Sequence, residues 1–302
     1  MTARIVDTFA APGTEEWHRL LTPSKVPPIL GISRWQSKFT AWQIGAGNVP
    51  PEPISDSKQD DFDYGHAAEL AAAEYWKFKN PGWRLSRREV QYTNDALPFP
   101  NAATLDRRGS RGSRRKVIEV KTARDLNEYG DDGSGEVPAD YAAQIITQQH
   151  ITGFHEPADL VLWPQYGKPR IYTVEYSPDV AEAIIAAVIE WQKSIAAGVP
   201  PELDDSVSTY ETVRRMHPNI DGRGVQLDPV LAADYLTAVA EEKAIKKRLR
   251  GLKTRVLDTM GTAETALVYR TEIATRSPHG SGGVQIKPNA DADPTTIGEE
   301  AA

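Results

Sequence analysis

Hydrophobic side chains along this chain recur with two periods, and the change from one period to the other separates helices from strands. Spacings of three and four residues, typical of a helix with one apolar face, are found over 62–78, 139–152, 179–197 and 229–260. Alternating or short continuous apolar runs, typical of strands, are found over 83–92, 102–107, 116–122, 158–163 and 170–176. We therefore expect helices and strands to alternate, as in a mixed α/β fold.

Loops are indicated where proline, glycine and charged residues collect. Segment 50–61 is polar and proline-rich, and segment 124–137 is acidic and glycine-rich, so we expect both to be loops. Residues 107–116 are strongly basic and lie between two predicted strands, which favours a basic turn. Gly198 follows the helix predicted over 179–197 and is expected to end it.

A long helical pattern dominates the last third of the chain. Asp228 is suited to the N-cap and Pro229 to the first helical position, and Gly261 is expected to end the helix. The pattern is compatible with one long helix or with a helix pair. Its apolar residues approach a coiled-coil seam over 245–260.

The C-terminal end has the pattern of a β-hairpin followed by a polar tail. Its strands are expected over 265–276 and 283–288, across a glycine-rich turn. We therefore divide the chain into a main domain, a helical and hairpin appendage and a disordered tail, over 1–200, 201–287 and 288–302.

Composition limits the classes of protein to which this sequence can belong. No apolar run approaches the ~20 residues of a membrane span, and the start lacks the pattern of a secretory signal, so a cytoplasmic protein is expected. The chain contains 0 Cys, which excludes disulfides, thiolate zinc sites, a Cys nucleophile and a Cys-ligated iron–sulfur cluster.

Charge is distributed unevenly along the sequence. The formal net charge of −7 does not suggest a general nucleic-acid-binding protein, but basic residues are concentrated in two places. The first group comprises Arg107, Arg108, Arg111, Arg114, Arg115 and Lys116, and the second lies within 243–255. Each group can hold a phosphate backbone or can simply be a solvated surface, and the sequence leaves both interpretations open.

Asp106, Glu119 and Lys121 form the most informative pattern in the sequence. Asp106 ends one predicted strand, and Glu119 and Lys121 lie on one face of the next because side chains alternate along a strand. If the two strands pair, two carboxylates and an ammonium group converge. Such a group is typical of a Mg²⁺ site, although a surface salt bridge has the same pattern.

The predicted helix over 139–152 carries polar residues on one face. Tyr141, Gln144 and Gln148 have the spacing of one helical face, and they follow directly after the Glu-Val-Lys strand. They can therefore face the same site. Alternatively they form the solvent face, with the isoleucines of this helix buried.

Taken in order, these motifs resemble a known family. Gly65 and Glu69 form a G-x-x-x-E motif, and Leu-Asp at 105–106, Glu-Val-Lys at 119–121 and Tyr-x-x-Gln at 141–144 follow it. With the segment WHRLLTPSKVPPILGISRW near the start, the set resembles the YqaJ-type viral recombinase exonucleases. These are relatives of lambda exonuclease in the PD-(D/E)XK superfamily. The resemblance extends to about residue 198 and implies a restriction-endonuclease-like core, with a mixed central sheet flanked by helices.

The resemblance also implies a metal centre. Asp106 and Glu119 would ligate Mg²⁺ or Mn²⁺, with the backbone carbonyl of Val120 as a third ligand. Glu69 would support a second ion together with Asp106. Lys121 would position and activate the attacking water and offset charge on the phosphate.

Further residues are assigned by the same resemblance. Tyr141 and Gln144 would line the active centre, whereas Gln148 falls outside the family's usual glutamine spacing. Leu21 occupies the position of an arginine that helps to bind a 5′-phosphate, so Ser24 or Lys25 would take that role. The basic side chains of 107–115 (Arg107, Arg108, Arg111, Arg114 and Arg115) and loop 124–137 are further candidates for contact with DNA.

The implied function is exonucleolytic degradation of one strand of linear double-stranded DNA from a 5′ end. The product would be a 3′ single-stranded tail for an annealing protein in phage-type recombination, in the host cytoplasm if the chain is phage-encoded, and the enzyme would form a homo-oligomeric ring. Three alternatives remain open: a restriction or nicking endonuclease of the same superfamily, an inactive DNA-end-binding module, and a structural protein built on the long basic helix.

Overall fold

The computed structural model describes residues 3–7, 10, 13–124, 126–280 and 282–297. It separates into two compact units, 1–220 and 221–302. The helices are α1 (Glu15–Arg19), α2 (Val26–Leu30), α3 (Lys38–Gly45), α4 (Asp56–Lys79), α5 (Ala139–Thr152), α6 (Pro178–Ala197), α7 (Val207–Met216) and α8 (Pro229–Met260).

The strands of the first unit are β1 (Ala3–Ile5), β2 (Arg84–Leu85), β3 (Val90–Asn94), β4 (Ala103–Leu105), β5 (Arg107–Arg111), β6 (Arg114–Ala123), β7 (Ala158–Pro164) and β8 (Arg170–Val174). Five of them form the central sheet in the order β2-β5-β6-β7-β8. The β6–β7 pair is parallel, whereas the other three pairs are antiparallel. A smaller antiparallel sheet has the order β1-β3-β4.

Helices pack on both faces of the central sheet because β6 and β7 are apolar on both faces. Val117 of β6 belongs to the larger core, which also contains the buried isoleucines of α5 and residues of α6. Ile118 and Val120 belong to a second cluster with Ala72 and Trp76 of α4. Alternation along β6 therefore turns positions 117, 119 and 121 towards α5 and positions 118 and 120 towards α4. The predicted mixed sheet flanked by helices is confirmed.

Asp106 lies at the junction of the two sheets. It is the single residue between β4, which belongs to the small sheet, and β5, which belongs to the central sheet. The strand pair β5–β6 then aligns Arg107 with Ile118 and Arg111 with Arg114. The chain thus bends at Asp106 and returns along β6 towards Glu119.

Two predictions about loops are wrong. Segment 50–61 is not a loop throughout, since α4 begins at Asp56 with the Ser55 side chain accepting a hydrogen bond from the Lys58 N–H. Segment 107–116 is not a turn, because its first part is β5 and only Gly112 and Ser113 separate the strands. Alternation allows a strand to carry this many charges, since buried Arg107 and Gly109 alternate with more exposed neighbours.

Helix α7 was not predicted from the hydrophobic pattern. Its apolar residues Val207, Tyr210 and Val213 do recur at helical spacing, but Val207 and Tyr210 are exposed and the buried positions are Thr209 and Thr212. The Thr212 and Thr40 hydroxyls are 2.8 Å apart, which ties α7 to α3. The first unit therefore extends to Ile220, twenty residues beyond the boundary expected at 200.

The second unit contains one long helix and a three-stranded antiparallel sheet. Asp228 caps α8 as predicted, and its carboxylate accepts from the backbone N–H groups of Val230 and Leu231. The sheet has the order β11-β10-β9, with β9 over Thr265–Val268, β10 over Thr271–Pro278 and β11 over Val284–Pro288. A third strand arises because the chain turns at Tyr269, whose φ is 54°. The predicted hairpin is therefore two hairpins. Residues 289–297 contain turns, and 298–302 lie outside the described residues.

Candidate active site

Glu119 is the centre of a hydrogen-bond network on the α5 side of β6. Its Oε1 accepts from Lys121 Nζ and from Gln144 Nε2, both at 2.6 Å. Its Oε2 accepts from Gln148 Nε2 at 2.7 Å. Both carboxylate oxygens of this buried side chain are therefore held in a fixed orientation by donors. The polar face of α5 points at the Glu-Val-Lys strand rather than at solvent.

Asp106 is fixed beside the same strand by the backbone. The Val120 N–H donates to Asp106 Oδ2 at 2.7 Å. The Val120 backbone thus contacts the aspartate through its N–H group. Asp106, Glu119 and Lys121 are brought together at one edge of the junction between the sheets, as the sequence pattern predicted.

Asp106 also belongs to a group of three carboxylates. Glu69 on α4, Glu89 just before β3 and Asp106 each place one oxygen within 4.8 Å of the other two. Burial and the neighbouring Glu119 carboxylate raise the pKa of Asp106 well above its ordinary value. Burial and Glu89 also raise the pKa of Glu69. The cluster is therefore electrostatically unfavourable unless a cation offsets its charge.

Lys121 remains an ammonium group in this environment. Burial lowers its pKa, but the Glu119 and Asp106 carboxylates raise it more, so the net shift is upward. Its Nζ lies 5.3 Å from the centroid of the Tyr141 ring, and the Arg34 guanidinium lies 4.7 Å from the same centroid. Tyr141 thus lies beside two cations, and Arg34 is held by Asp140 at 3.0 Å.

Ser24 and Lys25 are engaged in local structure. Lys25 Nζ donates to the carbonyl oxygens of Trp17, His18 and Leu20 at 2.7, 3.2 and 2.8 Å. It therefore binds the carbonyl groups at the C-terminal end of α1. Burial lowers the pKa of Lys25 to about 8. Ser24 is exposed, and its hydroxyl lies 3.1 Å from that of Thr22.

The basic side chains of β5 differ in their surroundings. Arg107 is buried, with Nη1 2.5 Å from the carbonyl oxygen of Asp106 and 3.9 Å from Glu69 Oε2. Arg108 donates to the Tyr92 hydroxyl at 3.0 Å. Arg111 is exposed. Arg107 therefore contacts two residues of the site, whereas Arg108 is bound to Tyr92 of β3.

The basic side chains at the start of β6 lie nearer the surface. Arg114 forms a bidentate pair with Glu156, and Arg115 donates to the carbonyl oxygens of Gly112 and Arg114. Lys116 is largely buried, and its Nζ lies 2.7 Å from Asp159 Oδ2. A role for Arg114 and Arg115 in DNA binding stays a prediction.

The donor chemistry at this edge fits a hard divalent cation. Glu69, Glu89 and Asp106 supply carboxylate oxygens, which Mg²⁺ and Mn²⁺ prefer as ligands. Glu119 differs from these three because its oxygens already accept three hydrogen bonds. Burial raises the pKa of both Asp106 and Glu69, and repulsion by neighbouring carboxylates raises it further; a bound cation would offset that repulsion.

Two residues of the site were missed or given little weight by sequence reasoning. Glu89 reaches the cluster from a surface segment, and no spacing relates it to Asp106. Gln148 lies one turn beyond Gln144 on the polar face of α5, and this spacing in the sequence could have identified it as a site residue. Its Nε2 also donates to the Thr104 carbonyl at 3.1 Å. It therefore joins the strand before Asp106 to Glu119.

The mixed sheet lies between helices, and Asp106, the Glu-x-Lys strand and the Glu69 carboxylate of α4 lie close together, which is the arrangement that the motif resemblance implied. Residues 16–155 match the family model of the YqaJ-like viral recombinase domain. The resemblance inferred from the motifs is thereby confirmed.

Solved structures similar to this chain include an alkaline exonuclease, LHK-Exo, from Laribacter hongkongensis. That match has 17% identity and a TM-score of 0.46, covering 61% of this chain and 94% of the other. LHK-Exo in complex with dAMP matches with 16% identity and a TM-score of 0.45, covering 68% and 98%. SSO0001 matches with 13% identity and a TM-score of 0.35, covering 69% and 88%. A search of curated proteins gave no significant match. In the part of the chain that is described, no helix is long and apolar enough to cross a membrane.

Proposed function

We propose that the protein is a divalent-metal-dependent deoxyribonuclease that degrades one strand of linear duplex DNA from a 5′ end. One observation carries the proposal: within a YqaJ-like domain, Asp106, Glu119 and Lys121 meet at one edge beside Glu69. A catalytically silent DNA-binding module has no need of buried acids around an ammonium group.

The cation would be held by carboxylates of the acidic cluster. Asp106 and Glu69 are the central ligands. Glu89 adds a third carboxylate oxygen, which lies within 4.8 Å of an oxygen of each of the other two. We also assign the Val120 carbonyl and Glu119 to the metal centre, as the family resemblance implies. When bound, Mg²⁺ or Mn²⁺ lowers the pKa of a water molecule and offsets charge on the scissile phosphate.

Lys121 supplies a fixed positive charge next to that centre. Its ammonium group is held 2.6 Å from Glu119 Oε1, so it can orient the attacking water and offset charge that develops on the phosphate oxygens. Because its pKa is raised, it acts as a cation rather than as a general base. Gln144 and Gln148 keep Glu119, and through it Lys121, in place.

Substrate polarity and biological role follow from the family resemblance. We assign 5′-to-3′ digestion, a 3′ single-stranded tail as the product, and a single-strand annealing protein as the partner that receives it. We assign the protein to the cytoplasm and expect a homo-oligomeric enzyme that stays on its DNA.

The test uses 5′-phosphorylated linear duplex DNA, labelled at either the 5′ or the 3′ end, together with covalently closed circular DNA. We expect Mg²⁺-dependent loss of the linear duplex, early release of the 5′ label and an intact circle. Glu119→Gln and Lys121→Met should each reduce the rate by at least about 100-fold. Matched substitutions at exposed Glu74 and Lys77 (Glu74→Gln and Lys77→Met) should leave it unchanged.

Each alternative outcome has a defined meaning. Variants of Glu119 and Lys121 that digest as fast as the parent would contradict the assigned site. Cleavage of the closed circle would favour an endonuclease, and early release of the 3′ label would reverse the polarity. Retention of duplex ends without hydrolysis at any Mg²⁺ or Mn²⁺ concentration would favour a binding module.

A further inference from the structure

Helix α8 of the second unit carries an exposed apolar stripe with the spacing of a coiled coil. Steps that alternate between four and three residues connect Leu231, Tyr235, Ala238, Glu242, Ile245, Leu249, Leu252 and Val256. The five large side chains before Val256 are between 40% and 65% exposed. A mean repeat of 3.5 residues keeps such a stripe facing a second helix over about 39 Å. Seven of these eight positions are uncharged.

The charges of α8 are segregated along its length. Segment 229–242 contains the acids Asp234, Glu241 and Glu242 and no lysine or arginine. Segment 243–255 contains the bases Lys243, Lys246, Lys247, Arg248, Arg250, Lys253 and Arg255 and no acid. Two parallel copies would bring these basic segments together, whereas two antiparallel copies would place each basic segment against an acidic one.

One antiparallel register satisfies both the apolar stripe and the charges. With a two-fold axis between Lys243 and Ala244, Leu231 packs against Val256 of the second copy, and Tyr235 packs against Leu252 of the second copy. On one flank of the stripe, every position is charged and lies opposite a charge of the other sign in the second copy. On the other flank, Lys246 and Lys253 lie opposite uncharged residues. The flanking pairs are Asp234 with Arg255 and Glu241 with Arg248, and symmetry forms each pair twice.

The one charged position within the stripe is compatible with this register. Glu242 is paired with Lys246 of its own helix, at 2.7 Å between Oε1 and Nζ. In the antiparallel register it lies beside Ile245 of the second copy, whereas a parallel register would place it against a second Glu242. A single charged residue in a seam favours one register over others at some cost in stability.

We propose that α8 pairs with α8 of a second copy of this chain, antiparallel, in the register centred between Lys243 and Ala244. This pairing buries the exposed stripe and brings four ion pairs to its edges. It is independent of the proposed nuclease function, because none of its residues belongs to the candidate active site. An antiparallel two-fold pair closes with two copies, so this association differs from the homo-oligomeric ring that the family resemblance implies.

The first test exchanges charges in the full-length protein. Asp234→Arg/Glu241→Arg makes all four positions of the paired flank basic, and Arg248→Glu/Arg255→Glu makes all four acidic. Each variant alone should dissociate with a dissociation constant at least about tenfold higher than that of the parent dimer, because four attractions become repulsions. An equimolar mixture should form a heterodimer, since the exchange restores all four opposite-charge pairs. Sedimentation equilibrium measures the masses, and circular dichroism checks that α8 stays helical.

The second test uses the absence of native cysteine. The chain has 0 Cys, so Tyr235→Cys and Leu252→Cys each introduce a single thiol. Under mild oxidation, the mixture of these two variants should form a disulfide-linked dimer, whereas Tyr235→Cys alone should not. A dimer linked through Cys at 235 alone would establish a parallel arrangement and overturn the proposal.

Two further outcomes would also overturn it. One is a monomeric parent at concentrations of tens of micromolar, or charge variants that dimerise as well as the parent. The other is loss of duplex DNA binding by Arg248→Glu/Arg255→Glu with no change in oligomeric state, which would assign the basic segment to nucleic acid instead.

Discussion

At the scale of single residues, the site is defined by what holds Glu119 rather than by the acids alone. Three donors from β6 and α5 converge on its two oxygens, so the carboxylate cannot rotate without breaking a short hydrogen bond. Gln148 is the most buried of these donors and has a fully buried neighbour of the same type, Gln149. The pair permits a controlled comparison.

We predict that Gln148→Leu lowers the hydrolysis rate by roughly 10- to 100-fold, the range typical of residues that orient metal-site side chains. The change removes the donor from Glu119 Oε2 and from the Thr104 carbonyl. Gln149→Leu is the control, because Gln149 Nε2 donates to the Glu156 carbonyl, away from the site. Steady-state kinetics and thermal melts of both variants separate the effects. Equal loss of activity at equal loss of stability would contradict a positioning role for Gln148.

The acidic cluster leads to a second prediction at this scale. In EDTA, Asp106→Asn should raise the free energy of unfolding at neutral pH by about 1 kcal/mol or more, roughly 2–4 °C in Tm. The substitution replaces one of three crowded carboxyl groups by a neutral amide, and Asn can still accept from the Val120 N–H. Because the folded-state pKa of Asp106 is raised, there is a pH range, between the unfolded and folded pKa values, in which the folded parent binds a proton that the unfolded chain has released. Its stability should therefore fall as pH rises between the unfolded and folded pKa values.

The same variant tests the metal site. Mg²⁺ or Mn²⁺ should raise the Tm of the parent, since a ligand that binds only the folded state stabilises it. The shift should be largely absent in Asp106→Asn. An equal metal-induced shift in both proteins would place the ion elsewhere.

At the scale of secondary-structure elements, β6 joins the two halves of the core to the site. One of its faces packs on α4, and the other contributes Val117 to the larger core and Glu119 to the site. Its N-terminal part is tied to β7 by the Lys116–Asp159 pair at 2.7 Å, and Trp76 Nε1 of α4 donates to the same carboxylate oxygen at 2.7 Å. Lys116 is thus structural, although it belongs to the basic run of the sequence.

We predict that Lys116→Met lowers the free energy of unfolding by about 3 kcal/mol, because it leaves Asp159 buried with only one of these two donors. Lys168→Met, at an exposed lysine between β7 and β8, is the matched control and should change it by less than about 0.5 kcal/mol. Urea denaturation measures both values. A Lys116→Met variant as stable as the control, but weaker in DNA binding, would return this residue to the DNA-contact surface.

Contacts within one strand or helix could be predicted from the sequence, whereas contacts between separate elements could not. Period-two alternation correctly placed Glu119 and Lys121 on one face, because that inference needs only a strand. Helix α5 begins and ends where its pattern predicted. Glu89 could not be found in this way, since its contact with Asp106 depends on how two sheets meet. Likewise β5 was interpreted as a turn, because its many charged residues and the small Gly109 give no apolar alternation, although Arg107 and Gly109 are buried.

At the scale of the whole molecule, chemistry and proposed association are divided between the two units. All residues of both hydrophobic clusters lie before position 192, as does every residue of the candidate active site. The first unit therefore contains a complete core of its own. The exposed seam and the basic segment of α8 belong to the second unit.

We predict that a chain ending at Ile220 folds, is monomeric, and hydrolyses short 5′-phosphorylated duplexes within about threefold of the full-length rate, because its core and acidic cluster are intact. The full-length protein should be dimeric under the same conditions, since only it contains α8. Light scattering after size-exclusion chromatography measures the masses, and a thermal melt establishes that the shorter chain is folded. A folded, dimeric short chain would assign self-association to the first unit. A folded monomer without activity would mean that the second unit contributes to catalysis. We do not expect this outcome, because all the acidic residues of the candidate site lie in the first unit.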